Sequence, residues 1–341
     1  MSESYSWKQM LADFRQLGGT ANNVEQRRGA CGNGLFPMDP ALPVAIHVPD
    51  SLLIDDEKLV LVDGALEISP EADVPGDVRA FYAKYQKHFS WGADGRDHME
   101  AFESGLKDLP ETLRLRLRQL GLLNLPVRHE GAWEEVLRRR FLVSRRINYK
   151  KRKVIMPIIE LINHMPRSPG YQVKDGIGFG GTFTDEVTVN YSATNDSLLR
   201  FLNYGFANQE PFAYSLPVTL KQGENLTVVV GLNPDEMQPV NRLPTPKVEV
   251  EANKRKLSHL RLGMERAPRM PRTLMRNVLS DLPAAEVDEI FDRVRSTNIL
   301  VLTELLELAD GVTSPMGREF RQAIRCQLRA LSHCYGVRQD V

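Results

Sequence analysis

The architecture turns on residues 188–208, TVNYSATNDSLLRFLNYGFAN. Val187, Thr188 and Val189 form a short apolar run of strand type. Asn195-Asp196 then offers a helix cap, and Leu198, Leu199 and Leu202 follow it at helical spacing. Tyr204-Gly205-Phe206 ends that helix with a phenol between apolar neighbours; alone, this is a core tyrosine at a helix end. Upstream, Glu160–Pro166 reads ELINHMP, a polar Asn-His pair behind an apolar run, stopped by proline. Alone, it is a strand-end turn with a satisfied core histidine. Further upstream stands Gly32-Asn33-Gly34-Leu35-Phe36. Glycine tolerates positive φ and close backbone approach, but alone this stretch is a hairpin turn. No GxGxxG opens a helix, so a dinucleotide fingerprint is excluded.

Working outward from these stretches gives the segment order. Trp7, Met10, Leu11 and Phe14 predict a helix within residues 1–17, stopped by Gly18-Gly19. Gly34–Phe36, Val44–Val48 and Leu59–Val62 are strands joined by tight turns. Residues 74–141 switch to helical texture: Phe81, Tyr85 and Phe89 are spaced by four, Leu113, Leu117 and Leu120 form a second face, and Trp133, Val136 and Leu137 begin a third. Strands return at Val154–Met156, Val187–Val189, Val218–Leu220 and Leu226–Val230. Gly176–Gly181 has no helix behind it to make a phosphate cradle and is expected to be a mobile turn. Pro239–Val248 is a proline-punctuated linker. The chain beyond about 250 is expected to be helical, with Ser314-Pro315 starting one helix. Strands and helices come in blocks and do not alternate, which disfavours a doubly wound sheet.

Composition removes whole classes of function. The 341 residues carry 44 Lys+Arg against 44 Asp+Glu, a formal net charge of zero. A balance of that kind argues against a nucleic-acid coat, and nucleic acid is not the expected partner. Three cysteines (Cys31, Cys326, Cys334), with no CxxC, make neither a disulfide framework nor a thiolate zinc cluster. No second histidine stands at metal spacing from His164, so no metal site is expected. The N-terminal residues lack a secretory pattern and no apolar run approaches membrane length; a cytoplasmic protein is the expectation. The sequon Asn225-Leu226-Thr227 then has no glycosylation role. Residues 138–153, RRRFLVSRRINYKKRK, hold nine basic residues and no acid. Two readings stand: a docking surface for an acidic partner, or a solvated helix end and hairpin.

Taken in order, the three quoted stretches resemble the SET-domain methyltransferases, most closely the branch of the Rubisco large-subunit lysine methyltransferases and the actin-histidine methyltransferase. The resemblance rests on Gly32-Asn33-Gly34, on Leu161–His164, and on Tyr191, Asn195, Leu198 and Tyr204–Phe206. It covers about forty motif positions, and the block order matches over nearly the whole chain. It implies an α+β fold: a SET-type β domain with a pseudoknot (residues 1–73 and 142–245), an inserted helical subdomain (74–141) and an all-helical C-terminal domain (246–341). It implies S-adenosylmethionine as cofactor and a protein as substrate. Gly32, Asn33, Gly34, Leu35, Asn163 and His164 would flank the cofactor. Ser144, Arg145 and Tyr204 would sit where cofactor and target meet, with Tyr204 as the catalytic tyrosine. Glu160, Tyr171 and Tyr214, beside Ser144 and Arg145, would contact the substrate. Two positions depart from the branch: Glu160 and Asn203 stand where it has aspartate.

The chemistry so implied is consistent with the residue types. A free lysine with pKa of about 10.4 is only ~0.04% neutral at pH 7. Desolvation in an apolar channel beside a sulfonium lowers that pKa, and hydroxyls and carbonyls orient the amine. No strong acid or base is required. Histidine, with a pKa near 6.5, is the alternative target, and a non-catalytic binding module is the alternative of another class.

Overall fold

The structure, a computed structural model, describes residues 5–30, 32–123, 132–191, 195–224, 226–232 and 245–333. Cys31, Cys334, Asn225 of the sequon, residues 239–244 of the expected linker, and Ser192, Ala193 and Thr194 inside the quoted motif lie outside them. The described helices are α1 (Trp7–Gln16), α2 (Gly76–Phe89), α3 (Arg96–Lys107), α4 (Glu111–Gln119), α5 (Trp133–Arg145), α6 (Ser197–Tyr204), α7 (Met270–Val278), α8 (Ala284–Leu308) and α9 (Pro315–His333). Contacts divide the chain into two compact units, Met1–Glu103 with Pro126–Tyr191, and Ser104–Leu125 with Ser192–Val341. These units cut across the four segments expected from the sequence: α4 of the anticipated insertion belongs to the second unit.

The first unit begins with α1. Its capping box is complete, Gln9 N donating to Ser6 Oγ at 3.3 Å and Ser6 N to Gln9 Oε1 at 2.7 Å. Met10, Leu11 and Phe14 are its buried face. Gly18 leaves the helix at φ +89, and a Cβ on Gly19 would lie 2.4 Å from the Phe14 ring, so both glycines are required. The main sheet runs Thr20–Asn22, Val44–Pro49, Gly176–Gly181, Gln172–Val173, antiparallel throughout. A second joins Ile54–Asp55, Arg152–Ile155 and Ile147–Tyr149. Phe81, Tyr85 and Phe89 are buried on α2 as their spacing requires, with Phe81 and Tyr85 stacked at 5.9 Å.

Gly176–Gly181 is a strand, which corrects the expectation of a turn. The run Gly-Ile-Gly-Phe-Gly is a period-two pattern that buries Ile177 and Phe179. Its glycines let the chain lie against Val44–Pro49: a Cβ on Gly176 would come 2.2 Å from the Val48 carbonyl oxygen, and one on Gly180 2.7 Å from that of Val44.

The second unit packs α6 to α9 and α4 with a four-stranded sheet, ordered Val218–Gln222, Leu226–Val230, Lys254–Leu257, Val248–Glu251. Phe201 of α6 meets Phe320 of α9 edge-on at 5.6 Å, a pair worth about 0.5–1.5 kcal/mol beyond its burial. Ser314 Oγ accepts from Gly317 N at 3.1 Å ahead of Pro315, the start expected for α9. The all-helical reading of residues 246–341 is corrected: Val248–Glu251, Lys254–Leu257 and Arg261–Met264 are strands, and helix resumes only at Met270. VEVE and KRKL interleave three apolar residues with five charged ones because they pair with one face in solvent, so no apolar run announced them.

Candidate functional site

Three chain segments distant in sequence meet in the first unit. The strand Gly32–Phe36 pairs with Glu25–Gly29, and the ladder ends at Gly29 opposite Gly32. Gly32 enters the strand at φ +92, with open space where a Cβ would stand; Asn33 to Phe36 are extended strand. Gly34 is glycine for another reason. A Cβ there would lie 2.3 Å from Glu186 Oε1 and 2.8 Å from Asn163 Nδ2. Asn163 Nδ2 fills that place, donating to Glu186 Oε1 at 2.5 Å and to the Asn33 carbonyl at 3.2 Å. Val187 N donates to the Leu35 carbonyl at 2.7 Å, and Asn163–His164 pairs in parallel with Thr188–Val189.

Tyr191 completes the knot of contacts. Its hydroxyl donates to the Ile162 carbonyl at 2.8 Å, and its backbone N–H donates to His164 Nδ1 at 3.1 Å. His164 therefore uses Nδ1 as acceptor, which puts the proton of its neutral ring on Nε2. The two rings lie 5.1 Å apart. The Asn-His pair, the glycine strand and the start of the 188–208 stretch are thus one packed assembly.

Ser144 and Arg145 form the C-terminal end of α5. Ser144 Oγ donates to the Phe141 carbonyl at 2.8 Å, Arg145 Nη1 donates to Ser144 Oγ at 3.0 Å, and the guanidinium lies over the Phe141 ring at 4.0 Å. Arg145 Nε is buried with no hydrogen-bond partner among the described residues. Glu160, expected at the substrate, points into the packed interior: Oε1 accepts from Tyr85 Oη at 2.8 Å and from Ser90 Oγ at 2.7 Å. Burial pushes its carboxyl up from the ordinary value, against the charge of Arg145 and the hydrogen bonds that favour ionisation. Tyr171 packs edge-on to Phe179 at 6.4 Å within the hydrophobic core.

The remaining two expected tyrosines lie in the second unit. Tyr204 is the last residue of α6, half-buried, with the Arg200 guanidinium 5.3 Å from its ring centre and Phe206 at 6.0 Å. Gly205 ends the helix at φ +82. Asp196 caps α6 through Leu199 N at 3.0 Å, as the sequence indicated, and its other oxygen accepts from Tyr214 N at 2.7 Å and from Gln327 Nε2. Asn203, the departure beside Tyr204, donates to Asn195 Oδ1 at 3.0 Å and so ties two motif positions together. Tyr214 is 1% exposed and its hydroxyl accepts from Arg261 Nη2 at 2.6 Å. Burial raises its pKa while Arg261 opposes the rise. Those surroundings make it a core residue of this unit.

Sequence reasoning missed Glu186, Asp94, Tyr85 and Ser90, and assigned Tyr191 no role beyond its motif. No local pattern announces these contacts; each acts through a partner 20 or more residues away. In the basic stretch six of the nine cations have acidic partners within the unit. Arg138 and Arg139 pair with Glu135, Arg146 with Asp56, and Lys150 and Arg152 with Asp50. Arg140 is wholly buried against Glu103 at 2.5 Å. Acids of the same unit neutralise most of this run.

No family model and no curated protein matches the sequence. Among solved structures the chain is similar to the SET domain of LSMT bound to lysine and AdoHcy, at 13% identity and a TM-score of 0.42, over 98% of this chain and 91% of that one. It is similar to Rubisco LSMT bound to AdoMet at 12% identity and a TM-score of 0.42, with the same coverage. For Rubisco LSMT bound to sinefungin and monomethyllysine the values are 12% and 0.39, over 98% and 90%. At such scores any functional reading stands on the chain's own residues.

Proposed function

We propose that this protein transfers a methyl group from S-adenosylmethionine to a side-chain amine of a protein substrate, lysine being the target in the resembled branch. The observation that carries the reading is the meeting at Asn163, whose amide holds the Asn33 carbonyl and the Glu186 carboxylate while its strand pairs beside Val187, itself bonded to Leu35. The three sequence stretches that define the resemblance have no local reason to touch.

The residues present fit the proposed cofactor. Gly32 offers backbone at φ +92 with no side chain in the way. Arg145 Nε is a buried cationic donor without an acceptor among the described residues, matched to an α-carboxylate. Gly32, Asn33, Gly34, Leu35, Ser144, Arg145, Asn163 and His164 are the proposed cofactor-holding residues, and the pseudoknot of the SET fold is part of the proposal. When bound, S-adenosylmethionine supplies an electrophilic methyl on a sulfonium. The chain's part is then to exclude water, which favours the neutral amine, and to orient that amine through hydroxyl and carbonyl oxygens. Tyr204 is the proposed phenol on the strength of its motif; its ring faces the Arg200 guanidinium.

Calorimetry with S-adenosylmethionine, followed by transfer of labelled methyl to a lysate, tests the proposal. Wild-type protein should bind and label, and Tyr204→Phe should bind with little change and lose roughly 10²-fold or more in labelling rate. Absence of binding by the wild type would sink the reading; undiminished labelling by Tyr204→Phe would remove Tyr204 from it.

A further inference from the structure

Ile158 is fully buried and has φ +67. A β-branched residue in that region is a genuine outlier, and such a conformation persists only where its surroundings over-determine it. Here they do. The Ile158 N–H donates to Tyr85 Oη at 3.0 Å, that hydroxyl donates to Glu160 Oε1 at 2.8 Å, and Ser90 Oγ donates to the same oxygen at 2.7 Å. The strained residue opens a 3-10 turn, Ile159–Leu161, whose exit is Ile162, Asn163 and His164. The grip, at Ile158 and Glu160, therefore acts three to six residues before the groups proposed to hold the cofactor.

The same part of the chain reaches the glycine strand. Ser90 follows α2 at φ −128 and ψ −100, and the turn after it carries Asp94, which accepts from Asn33 Nδ2 at 2.8 Å. Gln26, opposite Leu35 in the hairpin, donates to the Phe89 carbonyl at 3.0 Å. Residues 85–94 thus hold both the 32–35 strand and the 158–164 segment. We propose that Tyr85, Ser90 and Glu160 are positioning residues, a latch by which α2 and its following turn keep Ile158 in its strained conformation and so hold Asn163–His164 in the geometry that binds cofactor. The cofactor part of this inference rests on the proposed function; the latch itself does not. Release of Ile158 to ordinary backbone would turn the 3-10 segment and lower the fraction of binding-competent protein, which weakens apparent affinity in proportion.

Hydrogen exchange and calorimetry on the full chain test the latch. Tyr85→Phe removes both the acceptor for Ile158 N–H and the donor to Glu160. The amides of residues 159–164 should then exchange roughly tenfold faster while those of Val44–Pro49 keep their protection, and the Kd for S-adenosylmethionine should rise about tenfold. Glu160→Ala should behave like Tyr85→Phe. Glu160→Gln, whose amide oxygen still accepts from both hydroxyls, should keep the exchange protection. Ile158→Gly removes the strain, so Tyr85→Phe should cost less affinity and less protection in that background. Unchanged exchange at 159–164 in Tyr85→Phe, or an equal cost with and without Ile158→Gly, would overturn the latch. A wild type that binds no S-adenosylmethionine overturns the functional reading instead, and the exchange experiment still decides the latch.

Discussion

Gly34→Ala is the sharpest probe of how the site is assembled. The added methyl would stand 2.3 Å from Glu186 Oε1, 2.8 Å from Asn163 Nδ2 and 3.2 Å from the Glu186 carboxyl carbon. The backbone at Gly34 is ordinary strand, so the cost comes from space and not from φ. The Glu186 carboxylate is the movable neighbour and must swing away, which breaks its bond to Asn163. A hydrogen bond to a charged group contributes about 1.5–3 kcal/mol. Asn163 and Glu186 are only half-buried, so water recovers part of that, and a loss of about 1–2 kcal/mol is expected. For a unit of this size the loss corresponds to a Tm drop of roughly 2–6 °C. Thermal denaturation of Gly34→Ala, Glu186→Ala and the double variant closes a cycle. With the carboxylate gone the methyl has room, so Gly34→Ala should cost well under half as much in the Glu186→Ala background. An equal cost in both backgrounds would refute the steric account. A cost above about 4 kcal/mol would refute the claim that a side chain, and not the backbone, gives way.

Other outcomes follow from buried charge. Glu160 has its folded-state pKa raised by burial, so its contribution favours the fold below the ordinary carboxyl value and is lost as pH rises through the raised one; Glu160→Gln should therefore gain stability over wild type progressively from about pH 4.5 upward, and a pH-independent difference in Tm would contradict this. Glu103→Ala strands the wholly buried Arg140 and should cost about 3–5 kcal/mol in chemical denaturation, whereas a loss under 1 kcal/mol would mean that water reaches the guanidinium. Asp196→Ala removes the α6 cap and the acceptor for Tyr214 N and Gln327 Nε2, for about 2–4 kcal/mol in the same assay; Asp196→Asn, which keeps acceptors for the backbone donors, should lose less, and equal losses would show that charge, not acceptance, is what Asp196 supplies.

The legible parts of this protein were those written in local periodicity. α1, the buried face of α2, the Asp196 cap and the Ser314-Pro315 start were each visible in fewer than twenty residues. What failed had a physical cause. Gly176–Gly181 reads as a breaker because glycine has low strand propensity, yet its glycines are there to let two backbones approach. Val248–Leu257 is expected from the sequence to end a linker and start helix, because its strands turn charged side chains such as Glu249 and Lys256 to solvent and leave no apolar run. The basic run 138–153 left two readings open because its acids, Asp50, Asp56, Glu103 and Glu135, come from elsewhere in the sequence or from the preceding turn of the helix.

The three expected tyrosines differ in burial. Tyr171 and Tyr214 have less than a tenth of their surface exposed, and Tyr214 spends its hydroxyl on Arg261. Moving that phenol to a substrate would leave a buried guanidinium short of an acceptor, a cost of about 1–3 kcal/mol before any chemistry begins. Tyr204 is more open than either: it is only partly buried at the end of α6, with left-handed Gly205 stopping the helix directly behind it. Exposure separates Tyr204 from Tyr171 and Tyr214, and the catalytic role proposed for Tyr204 rests on its motif. If that proposal holds, Tyr204→Phe loses labelling and Tyr171→Phe retains it; loss in both variants, or in neither, would refute it.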